Sequence, residues 1–166
     1  MLLKYLWAFL LGLVFLYLQL LLMPSVAIAQ VIPNILLAWL IYNIWSRPLN
    51  VACVSSFLIG LMYDATLPGT FGMNAMVFVL LCVLVDLFRK PFEIDSVVAR
   101  MLTLAIGNLV YTLISYLIMG MSFGFDGKLT NLIVIGFAYN LVLSLAAFWL
   151  MTFLSRLEIH YRHDKI

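Results

Sequence analysis

The sequence predicts an all-α fold, an integral membrane bundle of six transmembrane helices. Three observations predict it. Of the 166 residues, 66% are apolar and 10% charged, with a mean hydropathy of +1.17. Several apolar runs approach the length needed to cross a bilayer. The basic residues collect on one side of a six-span layout. A water-soluble domain of this size has more surface than so few charges can cover. The missing polar surface implies that lipid is the solvent.

The spans follow in order. The first runs from Tyr5 to Met23 and is ended by Pro24. Lys4 before a long apolar run, with Ala27-Ile28-Ala29 after it, has the look of a cleaved leader. The run is longer than a usual leader core, and its removal would cost the bundle a helix, so it reads as a retained span. The second covers about Val26–Trp45. Pro33 interrupts it, and the regular helix is expected to start there, because proline suits a first helical turn. The third, about Leu49–Tyr63, is short and is expected to form a tight hairpin with the second around Ser46-Arg47-Pro48. The fourth covers about Met73–Phe88, the fifth about Val97–Met121 and the sixth about Thr130–Leu154. Short spans are tolerated where neighbours cover their ends or the bilayer thins. Pro68-Gly69 and Phe123–Gly127 read as turns. The whole, residues 1–166, reads as a single domain with a short basic tail, residues 155–166.

Orientation follows from the basic residues. Lys4, Arg47, Arg89, Lys90, Arg100, Arg156, Arg162 and Lys165 fall on one side, and Lys128 alone on the other. The first side is expected to be cytoplasmic, with both termini on it. Trp7, Trp45 and Trp149 lie near predicted cytoplasmic ends, where indole prefers the interface.

Small and polar residues recur every four positions. Helix three carries Ala52, Ser56, Gly60 and Asp64. Helix five carries Thr103, Gly107, Tyr111 and Ser115, and helix six carries Gly136, Asn140 and Ser144. Residues four apart share a face, and membrane helices associate through small residues and interhelical hydrogen bonds. The stripes therefore mark faces packed within the chain or against a partner.

Catalytic chemistry finds no support. Asp64 and Asp86 are the carboxylates near span ends, but they fall at opposite ends of neighbouring helices. A proton-sharing dyad needs carboxylates about 3 Å apart. Asp86 has Arg89 and Lys90 on its own helix face and is expected to pair there. Asp64 has no basic neighbour and reads as a cap for loop backbone or as part of a partner or ligand surface. Cys53 and Cys82 sit singly in apolar runs, without metal or redox spacing. His160 and His163 lie in the tail with no nucleophile to serve. No phosphate loop is present. Between Met101 and Leu154 the only Asp, Glu, Lys or Arg residues are Asp126 and Lys128 in the loop, whereas an ion pump places ionisable groups along its pathway. A net charge of +2 in short clusters does not suggest nucleic acid. The chain reads as a non-enzyme without cofactor or metal.

The segment from Gly60 to Ala75, GLMYDATLPGTFGMNA, resembles the core signature of the rod shape-determining protein MreD family. That signature is a glycine-leucine start, an aspartate, then glycines spaced three apart and a small residue. Upstream, Pro33-Asn34-Ile35-Leu36-Leu37 is similar to the family's opening of helix two, although many members carry aspartate where Asn34 stands. Length, six spans and a basic C-terminus agree, and the motifs cover about Ile32 to Leu84.

The resemblance implies a component of the cell-elongation machinery in the bacterial inner membrane. It implies direct binding of the bitopic protein MreC. Through MreC it implies coupling of MreB filaments to the wall synthases, RodA and its penicillin-binding transpeptidase partner. Pro33, Asn34, Ser56, Gly60, Asp64, Gly69 and Gly72 are the candidate packing or partner-interface residues. The family's fold is similar to the six-helix substrate-binding subunit of energy-coupling-factor transporters, so the alternative function is a vitamin-binding membrane subunit. Against that alternative, the predicted outer loops are short and poor in polar side chains, and a polar vitamin needs converging donors and acceptors.

Overall fold

The computed structural model describes residues 2–28, 31–67, 69, 71–90 and 96–163, without the side chains of Leu2, Phe123 and residues 154–163. Ala29, Gln30, Pro68, Thr70 and Lys165 lie outside that set, as do the side chains of Arg156, His160, Arg162 and His163. Among the described residues the chain forms six α-helices and no strand: α1 Leu2–Leu21, α2 Leu36–Ser46, α3 Leu49–Asp64, α4 Met73–Arg89, α5 Val97–Phe123 and α6 Gly127–His163. Helix α1 ends at Leu21, just before Pro24 as expected, and an unpredicted 3-10 turn, Met23–Val26, carries Pro24 early.

Three helical stretches are long and apolar enough to cross a membrane: Leu3–Leu21, Val97–Ser122 and Gly127–Phe153. Helices α2 and α3 are apolar but shorter. The core is built on α2, whose Leu36, Leu37, Ala38, Trp39, Leu40, Ile41 and Ile44 are all buried. A helix apolar on every side belongs in the middle of a bundle, and α2 packs against each of the other five.

Close approach is set by glycines. A Cβ at Gly60 would lie 2.7 Å from the Ala75 backbone Cα, so α3 and α4 touch backbone to backbone. A Cβ at Gly12 would lie 2.7 Å from both the Trp39 ring and Ile59, which seats α1 on α2 and α3. The predicted stripe on α3 faces inward throughout: Ala52, Ser56, Gly60 and Asp64 are all buried. Its main neighbours are α4 and α1, and the expected tight pairing with α2 is the lesser contact. One link between α2 and α3 is the buried bond from Asn43 Nδ2 to Ser55 Oγ, at 2.8 Å.

Two boundaries differ from expectation. Helix α2 starts at Leu36, three residues after Pro33, because the backbone hydrogen bonds in between go to side chains. Helix α6 does not end near Leu154 but continues to His163, so most of the predicted tail prolongs a helix of 37 residues.

One end of the bundle gathers the basic residues. Arg89 donates to Asp86 Oδ1 through Nε and Nη2, at 3.0 and 2.7 Å, and through Nη1 to the Ile44 carbonyl at 2.5 Å. Lys90 Nζ lies 3.8 Å from Asp86 Oδ2, completing the pairing that the spacing predicts. The Arg89 bond satisfies a carbonyl at the C-terminal end of α2, where a cation also meets the negative end of the helix dipole. The Arg100 guanidinium sits 5.6 Å from the Trp45 ring, and Arg47 Nη1 donates to the Lys4 carbonyl at 2.7 Å.

Candidate functional site

A layer of polar side chains crosses the bundle at the other ends of α2 and α3. It begins with Asp64, at the C-terminus of α3 and fully buried. Helix α4 starts at Met73 after Gly72, whose φ of 88° is left-handed and suits glycine. Gly72 has no side chain with which to cap the helix. Asp64 supplies the cap from the neighbouring helix. Its Oδ1 accepts from Asn74 N at 3.0 Å and from Asn74 Nδ2 at 2.8 Å. Its Oδ2 accepts from Ala75 N at 2.9 Å. The carboxylate thus satisfies otherwise orphaned N–H groups at the positive end of α4. The expected backbone cap is present, but it acts on the next helix and not on the turn beside it.

From the carboxylate a directed chain of hydrogen bonds follows. Because Asp64 can only accept, Asn74 must turn its amide nitrogen toward it and leave Oδ1 facing α5. Tyr111 donates to that oxygen at 2.9 Å. The Tyr111 oxygen in turn accepts from Asn34 Nδ2 at 3.0 Å. Asn34 Oδ1 then accepts from Leu36 N at 3.1 Å.

The segment before α2 explains its late start. Asn34 N donates to Asn140 Oδ1 at 2.7 Å. Ile35 N donates to Gln19 Oε1 at 2.9 Å, and Gln19 Nε2 donates to the Pro33 carbonyl, also at 2.9 Å. Pro33 has no N–H to satisfy. Every N–H from 34 to 36 therefore meets a side-chain oxygen, drawn from α1, α6 and Asn34 itself. Non-helical backbone inside an apolar protein persists only when its polar groups are met in this way. Asn140 Nδ2 continues the chain to Asn108 Oδ1 at 2.6 Å, and Asn108 Nδ2 ends it on the Leu104 carbonyl at 3.0 Å. The layer joins side chains of α1, α3, α4, α5 and α6 to the backbone that opens α2.

The predicted candidates fall into three groups. Pro33, Asn34 and Asp64 belong to the layer. Gly60 and Ser56 line the α3 seam, where Ser56 is fully buried. Gly72 starts α4. Gly69 neither packs closely nor has a left-handed φ: a Cβ there would meet nothing within 4 Å. Sequence reasoning missed Gln19, Asn74 and Asn108 as members of the layer. Their signal was an amide inside an apolar span, which a survey of ionisable groups passes over. Asn140 and Tyr111 were placed on stripes but not joined to Asn34.

Beside the layer a cavity of about 290 Å³ opens between α5 and α6, with Val31, Asn34, Tyr111, Ser115, Gly136 and Asn140 among its walls. No acidic or basic side chain lines it. Among the described residues no three His, Cys, Asp or Glu side chains gather as metal ligands would.

An all-helical fold with membrane-length apolar helices and a layer of hydrogen-bonded polar side chains among them defines a polytopic membrane protein. The family model of the rod shape-determining protein MreD matches residues 1–158. The chain belongs to the MreD family, and with it comes a role in determining rod shape. No curated protein and no solved structure shows significant similarity to it.

Proposed function

We propose that the chain is a non-catalytic scaffold of the cell-elongation (rod) complex in the bacterial inner membrane. It spans that membrane six times as a single domain, with both termini cytoplasmic. It binds MreC directly and helps couple MreB filaments to RodA and its penicillin-binding partner. The observation that carries this reading is the family match over residues 1–158. The charge distribution supports the orientation, and the described helices follow the six predicted spans in order.

The geometry supports a scaffold in one further respect. The layer's hydrogen bonds run between the chain's own helices, so the polar groups fix the relative positions of those helices. Ser56, Gly60, Asp64 and Gly72 shape the α3–α4 unit, and Pro33 and Asn34 hold the α2 entrance. In this reading they present a partner surface by positioning helices. The test is rescue of shape. In a rod-shaped bacterium depleted of its own family member, expression of this chain with its cognate MreC restores rods. Round cells despite normal membrane levels of both proteins contradict the proposal.

The cavity between α5 and α6 favours the alternative of a vitamin-binding subunit, with the likeness to energy-coupling-factor subunits that goes with it. Its volume of about 290 Å³ lies at the small end for ligand sites. Asn34, Tyr111 and Asn140 in its wall already bond to other helices or to backbone. A polar vitamin would have to compete with those bonds, which weighs toward the scaffold.

A further inference from the structure

The helices differ in how far they reach past the polar layer, and the hydrogen bonds fix the comparison. Asp64, Asn74 and Tyr111 are linked by direct bonds, so they share one level. At that level α3 has ended and α4 has just begun. Helix α5 runs on from Tyr111 to Phe123, about 18 Å at 1.5 Å per residue. Helix α6 covers about 20 Å between Gly127 and Asn140.

The opposite level is marked by Arg89 on the Ile44 carbonyl and Arg100 beside Trp45. From Arg100 to Tyr111 is about 16 Å along α5, and from Arg89 to Asn74 about 22 Å along α4. Both fall short of the roughly 30 Å hydrocarbon core of a bilayer. Between Arg100 and Asp126, by contrast, the α5 side carries no charged residue. The α3–α4 side exposes Val54, Phe57, Met62, Met76, Leu80 and Val83 over the short interval only. Past Asp64 it presents an exposed turn at Ala65, Thr66 and Leu67. Lipid-exposed irregular backbone is not stable in hydrocarbon.

We propose that the α3–α4 face is a lipid-interaction surface fitted to a locally thinned outer leaflet, while α5 and α6 meet a leaflet of ordinary thickness. The occupant of that face is phospholipid whose headgroups descend to the level of the Asp64–Leu67 turn. Bilayers accommodate short spans in this way at modest cost per ångström. The inference rests on the six-span reading given above.

The test compares two positions at one level on opposite sides. Leu67→Cys lies three residues past Asp64, and Leu113→Cys two residues past Tyr111; both native side chains are exposed. The full chain is reconstituted in phosphatidylcholine vesicles with 18-carbon monounsaturated chains and treated with a membrane-impermeant maleimide. The unmodified chain, with Cys53 half-buried and Cys82 buried, gives the background. Asp126→Cys and Ser96→Cys report the outer and inner faces. Leu67→Cys is expected to label as fast as the outer reporter, and Leu113→Cys to stay protected until detergent is added. Protection of Leu67→Cys means that hydrocarbon covers both sides equally, which overturns the proposal. Labelling of Leu113→Cys overturns it too, since α5 would then stand in water. If Asp126→Cys and Ser96→Cys label from the same side, the six-span reading fails first, and that outcome is read separately from the other two.

Discussion

Asp64→Asn separates a charge that organises the bundle from one that is merely tolerated in it. The carboxylate accepts three N–H groups on two oxygens. An asparagine at this position has one oxygen. Placed where Oδ1 lies, that oxygen keeps both Asn74 donors, but the new amide nitrogen then points at the Ala75 N–H. One hydrogen bond is lost and a buried donor goes unpaired, a cost of about 1–3 kcal/mol. The flipped rotamer keeps Ala75 and loses both Asn74 bonds, which is worse. Neutralisation also removes a favourable charge from the N-terminus of α4, about 0.3–1 kcal/mol, and offsets this by relieving the desolvation of a buried anion. The net is about 1–3 kcal/mol of destabilisation. For a chain of this size that is roughly a 3–8 °C fall in melting temperature, read by thermal unfolding of the purified protein in mild detergent. Asp64→Leu removes all three acceptors and is expected to fall further. Asp126→Asn, on an exposed loop, is the control and stays near wild type. A melting temperature for Asp64→Asn equal to or above wild type would refute the capping argument.

The other predictions test packing, backbone and topology. Gly60→Leu forces a side chain into the Ala75 backbone and costs at least the 1–3 kcal/mol or so typical of overpacking, whereas Leu58→Phe on the exposed face is mild; equal detergent melting curves for the two contradict the close approach. Gly72→Ala puts a Cβ on a residue with φ of 88° and costs about 1–2 kcal/mol, while Gly69→Ala is silent; the same unfolding assay checks both. Reporters fused after Arg89 and at the C-terminus read cytoplasm, and one inserted near Gly127 reads the outer side. A cytoplasmic signal at Gly127 would break the six-span topology.

Much of the fold was legible because a lipid environment makes hydropathy informative. Helix order followed from apolar runs, and the α3 stripe from residues four apart. The pairing of Asp86 with Arg89 and Lys90 is local and could be read from i+3 and i+4 spacing. The polar layer could not, because the bonds that tie its helices together join residues from 10 to 106 positions apart. Which amide meets which is set by tertiary geometry. The start of α2 was misplaced for the same reason. Pro33 signals a helix start by its own backbone, but Gln19 and Asn140 take the N–H groups that a helix would otherwise leave to water. The role of Gly72 was half visible, since glycine marks a turn but does not say which distant side chain will cap the helix after it. Gly69 shows the converse, a motif glycine for which the fold supplies no packing reason.

The central claim is that the chain works by contact with MreC, and co-purification measures that contact directly. Tagged protein is isolated in mild detergent from cells producing its cognate MreC, and the product is screened by thermal shift against water-soluble vitamins. The account predicts that MreC is recovered with the wild-type chain, that recovery drops for Gly60→Leu and Asp64→Leu relative to the amount of folded bait, and that no vitamin shifts the melting temperature. Absence of MreC together with saturable stabilisation by a vitamin would contradict it and make the chain a ligand-binding subunit instead.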